Sequence, residues 1–131
     1  MIGLDTNVVV RYVMQDDLGQ SAKATKLMES LTEEQPGFLS LVSIVELYWV
    51  LTSCYHLTDQ QFKEALHVLL LARQIVVDRA EQVSQALRVF QSGHADFADC
   101  LIERIAVLAG CEQTLTFDVA AARHAGMTLI H

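Results

Sequence analysis

The sequence predicts an α/β fold in which a mainly parallel sheet is covered by helices on both faces. Short, continuous apolar segments alternate along the chain with longer stretches in which apolar residues recur every three or four positions. The apolar segments are too short and too continuous for a half-exposed antiparallel ribbon. Strands separated by helices in this order require crossover connections, and crossovers give parallel pairing.

Five segments are expected to be strands, and three amphipathic stripes are expected to be the core faces of helices. The predicted strands are Ile2 to Leu4, Phe38 to Leu39, Ile75 to Val77, Thr114 to Thr116, and Thr128 to Ile130. The predicted stripes are Ala24, Leu27, Met28 and Leu31, then Phe62, Ala65, Leu66, Leu69 and Leu70, and then Val83, Ala86, Leu87 and Phe90. Gly110 and Gly126 each follow a helical run and precede a strand, which is typical of helix C-caps.

Length and composition favour one well-packed domain. The chain has 131 residues, of which 52% are hydrophobic and 19% are charged. Residues 1–131 are therefore interpreted as a single domain, because this length is short for two. No apolar run approaches the roughly 18 residues that span a bilayer, and Asp5 lies where the apolar core of a signal peptide would be. We expect a soluble, cytoplasmic protein with no membrane partner.

The charge balance limits how the protein can bind nucleic acid. Nine Lys and Arg residues against sixteen Asp and Glu residues give a net charge of −7. This charge argues against broad, charge-driven binding to a nucleic-acid backbone. It is compatible with a metal-bridged contact at one scissile phosphate. Arg11, Lys23, Lys26 and Arg123 are either phosphate contacts or solvated surface charges.

Cysteine and histidine residues form no recognisable site. Cys54, Cys100 and Cys111 are odd in number and lack Cys-x-x-Cys spacing, so we expect free, mostly buried thiols. The five histidines are scattered and are interpreted as surface or core residues, with His94 alone near an acidic block.

Acidic residues stand where predicted strands end or helices begin. Asp5 follows the first strand, Asp118 follows the fourth, Asp96 and Asp99 open a helix, and Glu46 lies in an apolar run. In open parallel sheets, ligands bind outside the carboxyl ends of the strands. Carboxylates gathered there repel one another and lose hydration, so they protonate or hold a cation. An oxygen-rich set of this kind suits Mg²⁺ or Mn²⁺.

Each acid also has a purely structural explanation. Asp5, Asp96 and Asp118 are good helix N-caps, and Asp99 is an ordinary first-turn acid. Ser43 and Glu46 have the spacing of a capping box. Only a shared edge of the sheet would make these residues one metal site.

Four segments together resemble the PIN domain and, more narrowly, the VapC-type toxins of bacterial and archaeal toxin–antitoxin pairs. The segments are Asp5-Thr6-Asn7, Ser43 to Leu51 around Glu46, Asp96 to Ile102, and Thr116-Phe117-Asp118. They occur in order and cover essentially the whole chain.

The resemblance implies a three-layer α/β/α sandwich with a mainly parallel five-stranded sheet. It implies an endoribonuclease that depends on Mg²⁺ or Mn²⁺ and hydrolyses RNA phosphodiester bonds, forms a homodimer and is neutralised by a small antitoxin protein. By motif position, Asp5 and Asp99 would be the principal metal ligands, and Glu46 and Asp118 would complete the catalytic acids. Asn7 and Thr116 would support the acids by hydrogen bonding, whereas Asp96 stays open between ligand and helix cap.

Three other classes of protein compete with this interpretation. A phospho-acceptor receiver domain needs paired acids after the first strand and a late lysine, and both are missing. A phosphatase of the haloacid-dehalogenase type needs Asp-x-Asp, but Asn7 occupies the second position. A non-catalytic PIN-like module for dimerisation and partner binding is the main alternative. Helices near the start of the chain are the expected surface for the antitoxin or the dimer.

Overall fold

Helices and short parallel strands alternate along the chain, so the predicted α/β class is confirmed. The structure is a computed structural model that describes residues 1–91 and 94–131. The chain divides into two compact units, Met1–Asp78 and Arg79–His131, and each unit has its own parallel sheet. Among the described residues, no helix combines the length and apolar character needed to cross a membrane.

The first unit contains a three-stranded sheet with helices between its strands. Its elements are β1 (Ile2–Gly3), α1 (Thr6–Met14), α2 (Leu18–Ser30), β2 (Gly37–Leu39), α3 (Leu41–Trp49), a π-helical turn (Val50–Cys54), α4 (Asp59–Leu71) and β3 (Ile75–Val77). Strand β2 lies between β1 and β3 and is parallel to both. Leu39 of β2 and Ile75 and Val77 of β3 are buried, which explains the continuous apolar character of these strands.

The predicted stripes of α2 and α4 form part of this unit's core. Ala24, Met28 and Leu31 are buried in the first stripe, and Phe62, Leu66 and Leu69 in the second. The remaining stripe members are half-buried.

Gly37 of β2 leaves room for side chains packed above the sheet. A Cβ atom at Gly37 would lie 2.7 Å from Leu4 Cδ1 and 2.9 Å from Leu31 Cδ1. Leu4 directly precedes Asp5, so the packing at Gly37 helps to hold the backbone that leads into α1.

The second unit contains two packed helices followed by a two-stranded sheet. Its elements are α5 (Ala80–Gln91), α6 (Phe97–Leu108), β4 (Leu115–Thr116), α7 (Val119–His124) and β5 (Thr128–Leu129). The predicted stripe of α5 is fully buried, and the rings of Phe90 and Phe97 meet edge to face with centroids 5.6 Å apart.

The two glycines predicted to end helices do so. Gly110 has φ 93° and Gly126 has φ 79°, a region that favours glycine. After α6, the Gly110 N–H donates to the Val107 carbonyl and the Cys111 N–H donates to the Ala106 carbonyl, both at 3.0 Å. This bond pair is a Schellman motif, and it satisfies carbonyls that the helix end leaves unpaired.

All five predicted strands are present, but in the described parts of the chain they pair as three plus two. The predicted single five-stranded sheet is therefore replaced by two small hydrogen-bonded sheets. Strands of two or three residues offer few ladder bonds, and apolar periodicity does not specify the partner strand. Bonds from Leu4 N–H to the Phe38 carbonyl and from Ile130 N–H to the Thr116 carbonyl extend each ladder beyond the strand proper. A single domain over residues 1–131 stays a prediction.

The prediction for the cysteines is only partly right. All three thiols are free, but Cys54 and Cys111 are exposed and Cys100 alone is buried. Burial, together with the negative charges of Asp96, Asp99 and Glu103, raises the pKa of the Cys100 thiol to about 11.

Candidate active site

Asp5 is the N-cap of α1 and lies at the end of the first ladder. The Leu4 N–H donates to the Phe38 carbonyl at 2.9 Å, and the chain then turns into the helix. The Thr6 N–H donates to Asp5 Oδ1 at 2.9 Å. The second carboxylate oxygen of Asp5 has no hydrogen-bond donor among the described residues, and the side chain is exposed. Capping therefore leaves one oxygen free for a ligand.

Thr6 and Asn7 follow on the first turn of α1. The Thr6 side chain is 2% exposed, and its hydroxyl has no hydrogen-bonding partner within the described part of the chain. Asn7 is exposed and opens into a groove of about 310 Å³ between α1 and α2, which Arg11 and Lys23 also line. The support that Asn7 would give to the acids stays a prediction.

The two basic residues of this groove have different surroundings. Arg11 Nε donates to Gln20 Oε1 at 2.8 Å, and Arg11 Nη1 donates to Tyr55 Oη at 2.8 Å and forms an ion pair with Asp16 at 3.0 Å. Lys23 is exposed and forms no hydrogen bond or ion pair with a described residue. Of the two, Lys23 is the residue available to a phosphate.

Glu46 lies in the middle of α3 on its exposed face. The capping-box explanation for Glu46 is wrong, because α3 begins at Leu41 and its N-cap is Ser40, whose hydroxyl accepts from the Ser43 N–H at 3.2 Å. The Glu46 carboxylate forms no hydrogen bond or ion pair with any described residue. Glu46 therefore has no structural role that the described contacts reveal.

Asp96 and Asp99 occupy the start of α6. Asp96 is the N-cap, and its Oδ1 accepts from the Asp99 N–H at 3.1 Å. Asp99 lies in the first turn and is half-buried, and its carboxylate accepts no hydrogen bond from a described residue. Burial first, and then the negative charges of Asp96 and Asp118, raise the pKa of the Asp99 carboxyl above its ordinary value.

Asp118 is the N-cap of α7, and Thr116 accepts a hydrogen bond in the turn before the helix. Asp118 Oδ1 accepts from the Ala120 N–H at 2.8 Å and from the Ala121 N–H at 3.2 Å. The Thr116 hydroxyl accepts from the Asp118 N–H at 3.0 Å. Thr116 thus positions the backbone of Asp118, and Asp118 contributes its charge to the surroundings of Asp99.

The structure therefore brings Asp96 and Asp118 within electrostatic reach of Asp99 in the second unit, while Asp5 and Glu46 belong to the first. Within the ranges 1–91 and 94–131, no group of three or more His, Cys, Asp or Glu side chains is placed to hold a metal ion. A joint cluster of four acids stays a prediction.

Two features near the predicted residues were not anticipated from the sequence. The rings of His94 and His124 lie 5.2 Å apart, and both residues are exposed, as are the other three histidines. Trp49 is half-exposed on the same helix as Glu46. The three-residue spacing of Glu46 and Trp49 could have indicated the second feature, whereas no local signal indicated the first.

Comparison with known proteins identifies a family. Residues 2–127 match the PIN domain. No curated protein matches the sequence significantly. PIN domains are generally nucleases that act on RNA, and they typically depend on a divalent metal. Since the match runs through both units and includes every acid described above, the chain belongs to the PIN domain family.

Proposed function

We propose that this protein is a metal-dependent endoribonuclease that hydrolyses RNA phosphodiester bonds with the help of Mg²⁺ or Mn²⁺. The observation that carries the proposal is the state of Asp99. Its half-buried carboxylate lies in the field of two further carboxylates and has no cation or hydrogen-bond donor beside it among the described residues. A bound cation would stabilise the ionised form of such a carboxylate, since it offsets both the electrostatic repulsion and the lost hydration.

The donor chemistry fits a hard divalent ion. The acids offer only carboxylate oxygens, which Mg²⁺ and Mn²⁺ prefer over the nitrogen and sulfur ligands of other metals. Held by these acids, the ion would supply positive charge to the scissile phosphate and make a water molecule more acidic.

The residues would divide the work as follows. Asp5 and Asp99 would be the main ligands by motif position. Asp5 keeps one carboxylate oxygen free of its capping bond, and the Asp99 carboxylate accepts no hydrogen bond from a described residue. Glu46 and Asp118 would act in the same reaction as further acids, and Asp96 would mainly hold the helix start. A single functional domain over residues 1–131 with the three-layer α/β/α architecture belongs to the same proposal, and the family match through both units supports it.

We further propose that the protein is the toxin of a toxin–antitoxin pair and forms a homodimer. The resemblance of its four acidic segments to VapC-type toxins supports this assignment. Exposed apolar side chains on the helices of the first unit, among them Leu18, Val68 and Leu71, offer surface that a small antitoxin or a second copy could cover. Co-expression with the product of the neighbouring reading frame would test the antitoxin, and light scattering would test the dimer.

The central experiment measures cleavage of RNA by the purified protein with Mn²⁺, with Mg²⁺ and with chelator. Asp5→Ala, Glu46→Gln and Asp99→Asn should each lower the cleavage rate by at least about 10- to 100-fold, the loss that removing even an outer-shell partner of a metal typically causes. Glu29→Gln is the matched control, because Glu29 is an exposed helical acid outside the candidate site. The products should carry 5′-phosphate and 3′-hydroxyl ends. Equal cleavage by wild type and all acid variants would indicate a contaminating nuclease and refute the proposal.

A second measurement concerns the groove between α1 and α2. If Lys23 contacts a phosphate, Lys23→Gln should weaken RNA binding at all sequences and lower the slope of log affinity against log salt by about 1. Lys26→Gln is the control, since Lys26 is exposed on the same helix but does not line the groove. Identical slopes for the two variants would remove Lys23 from the binding surface.

The alternative function is a non-catalytic PIN-like module for dimerisation and partner binding. The observation that favours it is that Asp5, Asp96 and Asp118 all serve as helix N-caps. A folded protein that Mn²⁺ does not stabilise, and that cleaves no RNA, would support the alternative.

A further inference from the structure

We propose that His94 and His124 form a two-histidine site for Zn²⁺, distinct from the carboxylate site of the proposed ribonuclease. Both residues belong to the second unit of the chain. The inference depends on the geometry and chemistry of two imidazole rings and goes beyond the proposed function. Each of the two can therefore fail without the other.

The backbone beside each histidine is anchored, whereas both rings are exposed. His94 directly precedes the buried Ala95, and His124 directly precedes Ala125, which is 2% exposed. His124 is the last residue of α7, and the Ala125 N–H donates to the Ala121 carbonyl at 3.0 Å. Packing of the two alanines holds the chain in place at both positions. The rings themselves can turn about their side-chain bonds without displacing a neighbour.

The two rings lie at a separation that one tetrahedral ion would require. Their centroids are 5.2 Å apart, and their planes are inclined by 45°, whereas aromatic pairs prefer offset-parallel or perpendicular rings. A zinc–nitrogen bond is about 2.0–2.1 Å and the nitrogen lies about 1.2 Å from its ring centre, so two rings on one tetrahedral ion have centroids about 5.2 Å apart. Ligands at right angles, as on square-planar or octahedral ions, would bring the centroids to about 4.5 Å. The observed separation therefore favours tetrahedral Zn²⁺.

The ring nitrogens are suitable donors and are available. Neither histidine side chain forms a hydrogen bond or ion pair with a residue that the structure describes. Imidazole nitrogen suits Zn²⁺, whereas Mg²⁺ and Mn²⁺ prefer oxygen. Asp96, two residues after His94, adds negative charge that attracts a divalent cation to this part of the unit. The pair and the acids thus differ in the metal that they select.

An ion shared by the pair would join the segment before α6 to the end of α7. Within residues 1–91 and 94–131, no third His, Cys, Asp or Glu completes a three-ligand group, so water would fill the remaining positions. Binding should then be weaker than at a structural zinc site with four protein ligands. An ion that binds only the folded state stabilises that state. The stability of the second unit should therefore depend on Zn²⁺.

The test titrates the full-length protein with Zn²⁺ in calorimetry. All samples carry Cys54→Ser and Cys111→Ser, because exposed thiols also bind Zn²⁺, and contain excess Mg²⁺ to compete at the carboxylates. A single Zn²⁺ should bind per chain and, at about 100 times Kd, raise the melting temperature by up to about 10 °C.

Variants of the histidines assign the binding site. His94→Gln and His124→Gln should each lower the affinity for Zn²⁺ at least about 10-fold. The losses should not add in the double variant, because the loss of one ligand already breaks a shared site. His67→Gln is the control, since His67 is an exposed histidine of α4 in the first unit, and it should bind Zn²⁺ like the parent protein. In NMR of the parent protein, the ring-nitrogen signals of His94 and His124 should shift together on addition of Zn²⁺.

Four results would overturn the inference. The parent protein could bind no Zn²⁺, or only one of the two ring signals could shift, in which case the rings are neighbours by packing alone. Asp99→Asn could abolish binding while both histidine variants retain it, which would place the ion among the acids. One ion per two chains, with a dimer in light scattering, would mean that Zn²⁺ bridges two copies. Should a histidine variant not fold, the NMR titration of the parent protein decides the question.

Discussion

Substitutions at Asp96 should separate its role as a helix cap from a role as a metal ligand. Asp96 Oδ1 accepts from the Asp99 N–H at 3.1 Å and so satisfies one of the free N–H groups at the start of α6. Asparagine caps a helix about as well as aspartate does, whereas alanine does not. Asp96→Asn therefore removes the charge and keeps the cap, and Asp96→Ala removes both.

The expected stability changes follow from the cap. Loss of an N-cap costs about 1 kcal/mol in the free energy of unfolding, with a range of roughly 0.5–2 kcal/mol. With a urea dependence of about 2 kcal/mol per molar, Asp96→Ala should lower the midpoint of unfolding by about 0.5 M. Asp96→Asn should leave the midpoint unchanged or raise it slightly, because one of the charges that repel Asp99 is gone.

Asp96→Asn should change the pKa of the Asp99 carboxyl and leave RNA cleavage nearly unchanged. The charge of Asp96 contributes, after burial, to the raised pKa of the Asp99 carboxyl. In metal-free protein, the Asp99 carboxyl signal in NMR should therefore titrate at lower pH in Asp96→Asn than in the wild type. If Asp96 is only a cap, RNA cleavage by Asp96→Asn should stay within about threefold of the wild type, since asparagine keeps the cap.

Two results would refute this reasoning. If Asp96→Asn loses as much cleavage activity as Asp99→Asn, Asp96 is a metal ligand and the assignment as a cap alone is wrong. If Asp96→Ala unfolds at the same urea concentration as the wild type, the hydrogen bond at the start of α6 does not stabilise the helix.

Three further predictions concern stability. Gly37→Ala should destabilise the protein by about 1–3 kcal/mol, because the new methyl group would meet leucine carbons at 2.7 and 2.9 Å. Gly3→Ala is the control, since its methyl group meets nothing within 4 Å, and equal urea midpoints for the two variants would contradict the prediction. Thr6→Val should be neutral or stabilising by up to about 1 kcal/mol, since the buried hydroxyl has no partner among the described residues, and a clear loss of stability would mean that the hydroxyl is hydrogen-bonded. Asp99→Asn should raise the free energy of unfolding in metal-free buffer at neutral pH, and the gain should shrink toward pH of about 4, because a carboxyl with a raised folded-state pKa destabilises the fold only once it ionises. A stability difference between variant and wild type that grows on acidification would contradict this reasoning.

Short-range patterns in the sequence predicted much of the fold. The stripe of α5 is buried as its spacing requires, and Gly110 and Gly126 adopt the positive φ angles expected after helices. The aspartates at three helix starts cap those helices, as their residue type and position indicated. These features depend on neighbours within about one helical turn, so the local sequence is sufficient to determine them.

Properties that depend on distant residues were decided only by the tertiary structure. The sequence ranked Asp99 as a ligand, but its burial and the nearby charge of Asp118 come from the packing of α6 and the turn before α7. The guanidinium of Arg11 donates to Tyr55, which lies far along the chain, and the sequence alone does not indicate this contact. Burial, electrostatic fields and strand partners sum over groups that folding brings together, and no local pattern encodes that sum. The sequence by itself therefore determined the helices, the caps and the identity of the acids, whereas only the tertiary structure decided that Glu46 and Asp99 have no partner among the described residues.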